Sequence, residues 1–406
     1  MPPTTGSAGL ASLRDILAVL WPAPNRVDIG RAKVHPGELH YVAMPTARRA
    51  TALVPLRPRR VTTAVLGAHV ARSRDPRRLR RALLAGGAML TANWLPGRLR
   101  ISCPRGAGSV VGHVSDALGE SLVAGVHLGP PRANRKPILH LLTTAGRTIG
   151  FAKVGIDDAT RDLVRRETAA LRSLGGAGLQ HLEIPALMHS CQWDDTEVLV
   201  LSPLDTRQDH AVEAALLERA MVELSSVGGV SHENLMSSWY WFQLRRGLEG
   251  ASAAGGPEFQ TALARLESVA AEIPVGFGSW HGDWTPWNMA ASRQRLVLWD
   301  WERFGSGVPV GFDALNYQLH AEIRRDYRKP RAAVHDTVAK APQLLRPFGV
   351  SAEAAPWVAA AFLLEIGSRY LRTGQEQAGA RFGDLTTWIT PALTALAERL
   401  VSSYVR

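Results

Sequence analysis

The sequence predicts an α+β protein: a small β-rich lobe, then a helical lobe, with an extra N-terminal α/β subdomain in front. Three observations lead there. Residues 121–204 read as β-β-β-α-β-β, and nearly everything after them carries helical periodicity. The first 120 residues mix strand and helix patterns and carry a charge balance of their own. The chain has 406 residues, which is long for one core and favours several units, drawn here as 1–120, 121–204 and 205–406.

In order, ELHYVAMP (38–45) and RATALVPL (49–56) alternate as a strand pair. DPRRLRRALLAGGAMLTANW (75–94) reads as a helix opened by Asp75 and Pro76. RLRISCP (98–104) is a further strand and VVGHVSDALG (110–119) a short helix. The next three β-rich runs are 121–129, 136–144 and 148–155. DDATRDLVRRETAALRSLGG (157–176) begins acidic, keeps helical spacing and stops at Gly-Gly, so it is a helix. Residues 184–193 and 196–204 form a hairpin about Asp194-Asp195. Helices are then expected near 208–227, 232–249, 257–272, 311–325, 331–346, 351–373 and 384–405, interrupted by one strand, RLVLWDW (295–301).

Composition narrows the class. Hydrophobic residues make up 46%, enough for a packed protein. Cys103 and Cys191 are far apart and form neither a disulfide framework nor a zinc spacing, which suits a reducing compartment. The first 21 residues lack a basic n-region and place Asp15 in the would-be apolar core, against a signal peptide. No apolar run reaches the roughly 18–20 residues a bilayer span needs. A cytoplasmic location is therefore expected.

The net charge of +11 is uneven: residues 1–136 hold 21 Lys+Arg against 6 Asp+Glu, a net +15. Arginines at 57, 59, 60, 72, 74, 77, 78, 80 and 81 dominate it. A solvated face explains such a run. Residues 57–81 also suit an anionic partner or membrane headgroups. Nucleic acid is disfavoured, because the segment has no helix-turn-helix or zinc pattern and few aromatics to stack bases.

The chemistry lies further on. Lys153 is the only charged residue of its strand, and Glu167 follows on the next helix. Alone, the lysine reads as snorkelling and the glutamate as solvent-facing. Together, in this order, they form an ion pair that can aim an ammonium at nucleotide phosphates. WHGDWTPWNMA (280–290) then sets Asp283 and Asn288 five residues apart in a loop that Pro286 keeps from becoming helix. LVLWDWE places Asp300 at the end of an apolar strand. Phosphoryl transfer needs these groups: a carboxylate for the nucleophile's proton, and an amide oxygen and second carboxylate for Mg²⁺.

With these residues the chain resembles the aminoglycoside phosphotransferase/choline kinase-like family, of protein-kinase-like fold, over about residues 121–406. The resemblance implies ATP as donor, Mg²⁺ and a small-molecule hydroxyl acceptor. It implies Lys153 on the phosphates with Glu167 as its partner, Asp283 as catalytic base, and Asn288 and Asp300 as metal ligands. His281 would be structural, and Glu302 would reach a second metal or a substrate group, or be a salt-bridged structural residue. The phosphate-covering loop, 128–136, is not glycine-rich; Arg132, Asn134, Arg135 and Lys136 stand there as side-chain clamps or as an exposed hairpin tip. There is no lysine two residues after Asp283 and no D-F-G or A-P-E, which disfavours a protein kinase. Acceptor candidates are Glu365, Arg369, Asp313, which is rather expected to brace the loop after the metal site, and the aromatic run 239–242, whose four consecutive rings cannot share one helix face. The alternatives are a nucleotide-binding pseudokinase-like scaffold and an adaptor for an anionic partner led by the basic N-terminal region. No oligomeric state follows from the sequence.

Overall fold

The computed structural model describes residues 5–29, 38–71, 98–104, 107–129, 135–206, 212–249, 256–269, 271–292, 294–372, 382 and 384–404. The helix expected at 75–94 and the arginines from 72 to 81 lie outside them, as do Arg132 and Asn134. The strands are β1 (Arg26–Ile29), β2 (Glu38–Met44), β3 (Ala52–Pro55), β4 (Arg98–Ser102), β5 (Leu122–His127), β6 (Ile138–Thr143), β7 (Thr148–Gly155), β8 (Leu182–Glu183), β9 (Leu187–Trp193), β10 (Thr196–Leu201), β11 (Ser231–Asn234), β12 (Pro274–Trp280), β13 (Met289–Ala291), β14 (Leu296–Leu298) and β15 (Gly305–Pro309). The helices are α1 (Thr5–Leu20), α2 (Arg59–Ala71), α3 (Val110–Leu118), α4 (Asp158–Leu174), α5 (Ala214–Ser225), α6 (Trp239–Glu249), α7 (Gly256–Glu267), α8 (Phe312–Arg325), α9 (Pro330–Leu345), α10 (Ala355–Arg372) and α11 (Ile389–Tyr404).

The chain forms two compact units: Met1–Thr168 with Pro185–Pro203, and Ala169–Ile184 with Leu204–Arg406. The first is built on a nine-stranded sheet in the order β1-β4-β2-β3-β5-β6-β7-β10-β9. Residue 120 lies inside this unit, because β3 pairs with β5 and joins the four N-terminal strands to the five that follow. One sheet face packs under α1 and α3, through Leu17, Leu20, Trp21, Val110 and Val114 with Leu139, Ala152 and Val154. The other face meets α2 through Val61 and Val65 against Val54 and Leu142. Neither α1 nor α2 was among the expected helices. RRVTTAVLGAHVA is rich in β-branched residues, and burial of Val61 and Val65 outweighs their weak helix propensity.

The second unit is mainly helical and is centred on α6 to α11. It also holds two three-stranded sheets, β11-β12-β15 and β13-β14-β8. β12 (PVGFGSW) was not expected. Its two glycines weaken the strand signal, yet Gly278 is required there because an added Cβ would strike the Ser225 carbonyl. The α+β class holds, with a sheet-rich part first and a helical part second. Among the described residues no helix is long and apolar enough to cross a membrane.

Candidate active site

In the first unit, Lys153 sits on β7 between Ile138 of β6 and Leu199 of β10. Its Nζ donates to both Glu167 oxygens, at 2.6 and 2.7 Å. Both side chains are buried, and Glu167 is fully so. The helix explains why. Thr160, Val164, Glu167, Thr168 and Leu171 form the buried stripe of α4, so the glutamate occupies an apolar-face position. The turn between β7 and α4 fixes the register. Asp157 Oδ1 accepts from the Thr160 N–H and hydroxyl, and Thr160 Oγ1 accepts from the Ile156 and Asp157 N–H groups. Gly155 lets the helix come close, since a Cβ there would lie 2.6 Å from the Arg161 Cα. A solvent-facing Glu167 is thereby excluded.

In the second unit, the loop 281–288 is held from three sides. Asp313, in the first turn of α8, accepts from the His281 and Gly282 N–H groups at 2.7 and 3.1 Å. His281 is completely buried. Its Nδ1 accepts from the Asp283 N–H at 3.1 Å, so its Nε2 carries the proton that it gives the Trp299 carbonyl at 3.1 Å. Both ring nitrogens serve the loop, in keeping with a structural residue. Arg369 of α10 donates to the Gly282 carbonyl at 2.5 Å, pairs with Glu365 at 3.6 Å and lies 4.8 Å over the Trp280 ring. Gly282 has φ +78°, and a Cβ there would clash with the Arg303 carbonyl.

The Asn288 amide donates from Nδ2 to two Asp283 oxygens, the backbone carbonyl at 3.0 Å and Oδ2 at 2.9 Å. That orientation turns Oδ1 away from Asp283. The hairpin then sets the third group. β13 and β14 pair with Met289 opposite Leu298, and the Trp299 N–H donates to the Asn288 carbonyl at 3.1 Å. Asp300 follows directly, in the left-handed region at φ 71°, which aspartate tolerates better than most residues. Asp300 and Glu302 bring carboxylate oxygens within 4.8 Å of each other. The Asp300 and Glu302 carboxylates offer hard oxygen donors, the kind Mg²⁺ takes.

Burial, first of all, raises the Asp283 carboxyl to about 6. Arg303 and Arg369 pull the other way, as does the Asn288 hydrogen bond, while Asp300 pushes it up. Asp313 is raised to about 7, mainly by burial, against the two N–H groups that favour its anion. Burial also lowers His320 to about 4.

Arg135 donates from Nε to the Leu128 carbonyl at 3.0 Å and from Nη2 to the Ala50 carbonyl at 2.9 Å, so it braces the start of the 128–136 loop. Lys136 is half-buried just before β6. Of the aromatic run, Tyr240 and Trp241 enter the core, whereas Trp239 is exposed and stacks on Phe242 at 5.0 Å. Glu365 and Arg369 do share a face of α10, but Arg369 reaches the loop backbone. Sequence reasoning overlooked Arg303, whose only signal is its place three residues after Asp300.

No protein-family model matches the chain, and a search of curated proteins finds no match. Solved structures do resemble it. A thermostable mutant of aminoglycoside phosphotransferase APH(4)-Ia, in complex with ADP and hygromycin B, is 14% identical with a TM-score of 0.46, covering 72% of this chain and 98% of that one. Choline kinase LicA from Streptococcus pneumoniae is 16% identical with a TM-score of 0.44, covering 72% and 97%. A choline/ethanolamine kinase family protein from Mesorhizobium loti is 16% identical with a TM-score of 0.41, covering 66% and 88%. These neighbours are small-molecule kinases by name. At such identities and TM-scores the likeness adds nothing about chemistry, which rests on the residues above.

Proposed function

We propose that this protein is an ATP-dependent phosphotransferase that moves the γ-phosphoryl group to a hydroxyl of a small molecule, of the sugar, aminoglycoside or glycoconjugate-precursor class. One observation carries the reading. Asn288 turns its amide N–H to Asp283 and its Oδ1 away, and the β13–β14 hairpin sets Asp300 directly beyond it. In this reading Asp283 is the proton acceptor, and Asn288 and Asp300, which flank one short hairpin, are the oxygen donors.

In this reading Asp283 accepts the proton of the acceptor hydroxyl as that oxygen attacks the γ-phosphorus. The Asn288 N–H on Oδ2 orients the carboxylate so that its other oxygen faces the hydroxyl. Lys153, oriented by Glu167, binds the nucleotide phosphates, with Arg132 and Lys136 as further donors and Arg135 shaping the loop that bears them. Asn288, Asp300 and Glu302 would hold Mg²⁺, which neutralises phosphate charge when bound. Asp313, His281 and Arg369 keep the loop in place. The exposed Trp287, one residue before Asn288, offers an aromatic face to a sugar ring. Residues 121–204 supply nucleotide binding, residues 205–406 the transfer, and a cytoplasmic setting belongs to the same proposal. The arginines of 57–81, of which Arg57, Arg59 and Arg60 are exposed, favour an acceptor or neighbour bearing negative charge.

The test is thermal stability with ATP, with and without Mg²⁺, for the wild type and Asp300→Ala. Nucleotide at about 100 times its dissociation constant adds roughly 2.7 kcal/mol. A Mg²⁺-dependent rise in the wild type that disappears in Asp300→Ala is expected. No rise with ATP or GTP would overturn the reading in favour of an adaptor for an anionic partner.

A further inference from the structure

We propose that the first unit carries a zinc site formed by His113, His189 and Cys191. The sequence hides it, since the histidine of α3 lies 76 residues before the first of the other two. The fold brings them together. His189 and Cys191 are two apart on β9 and so project from one side of the strand. That side faces the core, where Cys191 and Trp193, like Val111 of α3, pack against the buried cluster. α3 is fixed by its own ends: Ser109 Oγ accepts from the Gly112 N–H at 3.0 Å, and Gly119 closes the helix at φ 65°. Its face bearing Val110 and Val114 is buried, and His113 beside them reaches β9.

One donor atom from each of the three residues lies within 4.8 Å of the other two. His113 Nε2 and Cys191 Sγ are already 3.3 Å apart. Tetrahedral zinc, with bonds of about 2.0–2.3 Å, needs donor atoms roughly 3.3–3.8 Å apart, so small side-chain rotations close the set. His189 Nε2 is buried and has no hydrogen-bond partner among the described residues, which is costly for an imidazole nitrogen and would be relieved by a metal. Two imidazoles and a thiolate are borderline-to-soft donors, unlike the all-oxygen group at Asp300, and they select zinc over magnesium. A fourth position remains for solvent. β9 is an edge of the nine-stranded sheet, two strands from the one bearing Lys153. The ion would clip α3 onto that edge.

Untagged full-length protein is incubated with zinc, separated from free ion and analysed for metal; Co²⁺ titration follows the same site by thiolate-to-cobalt absorption. Equimolar zinc retention is expected in the wild type, in Cys103→Ser and in Asp300→Ala. Cys191→Ser is expected to lose the retention and the absorption band, and His189→Gln to weaken binding at least tenfold. Thermal unfolding of the zinc-loaded wild type should shift down on adding a chelator, with no shift in Cys191→Ser. No retention by the wild type overturns the proposal whatever the variants do. So does equal retention in Cys191→Ser, or uptake of Cu⁺ alone. Loss of retention in Asp300→Ala with the cobalt band absent would move the ion to the oxygen site and overturn it as well. The outcome is independent of the phosphotransferase reading.

Discussion

Replacing Glu167 with glutamine isolates the charge of the buried pair at nearly constant shape. Lys153 Nζ gives bonds of 2.6 and 2.7 Å to the two Glu167 oxygens, and the side chains are 7% and 0% exposed. Breaking a buried pair from one side costs about 3–5 kcal/mol. An independent bound comes from the lysine. If it sheds its proton instead, taking a reference value near 10.4 down to pH 7 costs about 1.36 kcal/mol per unit, or roughly 4.6 kcal/mol. The two figures agree, and the second predicts a pH trend: at pH 9 the bound falls to about 2 kcal/mol. For a unit of this size, about 3–5 kcal/mol corresponds to a fall in melting temperature of roughly 6–20 °C. The assay is thermal and urea unfolding of wild type, Glu167→Gln, Lys153→Met and the double variant at pH 7 and 9. That double variant, made apolar at both positions as Lys153→Met with Glu167→Leu, should recover most of the loss, because apolar replacement of a buried pair is often neutral. A loss under about 1 kcal/mol in Glu167→Gln, or a double variant as unstable as the single ones, would refute the buried pair.

Two further outcomes follow from the loop. Gly282→Ala meets both a positive φ and the Arg303 carbonyl, so a loss of about 2 kcal/mol or more is expected by urea unfolding, with phosphotransfer abolished; a variant as stable and active as wild type would contradict the geometry. For Asp283, the carboxyl is raised to about 6, and a proton acceptor must be ionised. Activity at saturating acceptor should therefore fall as pH drops through about 6 and level off above it, with the acid limb absent from the residual activity of Asp283→Asn. An unchanged profile in that variant would assign the limb to another group.

The helix 157–176 was legible because its buried stripe, its acidic start and its Gly-Gly stop all agree, and it is found at Asp158–Leu174. The strands flanking it were legible for the same reason: their alternation and turn residues are local signals. β12 was not, since glycines required by close backbone contacts carry no β signal. α2 was missed because packing overrode its propensity.

The site divides in the same way. The spacing of Asp283, Asn288 and Asp300 is a property of the sequence, because a short hairpin converts that spacing directly into proximity. What Arg369 and Arg303 do, and which backbone groups Asp313 and His281 hold, could not be read there. Arg369 lies 87 residues from the carbonyl it holds, and Asp313 takes two N–H groups more than 30 residues away. The same is true of His113 beside His189 and Cys191. The sequence by itself determined the periodicity, the turns and the local arrays of polar groups, which depend on neighbours along the chain. The tertiary structure alone decided which distant donors meet which acceptors, because burial requires each polar group to find a partner wherever the packing brings one.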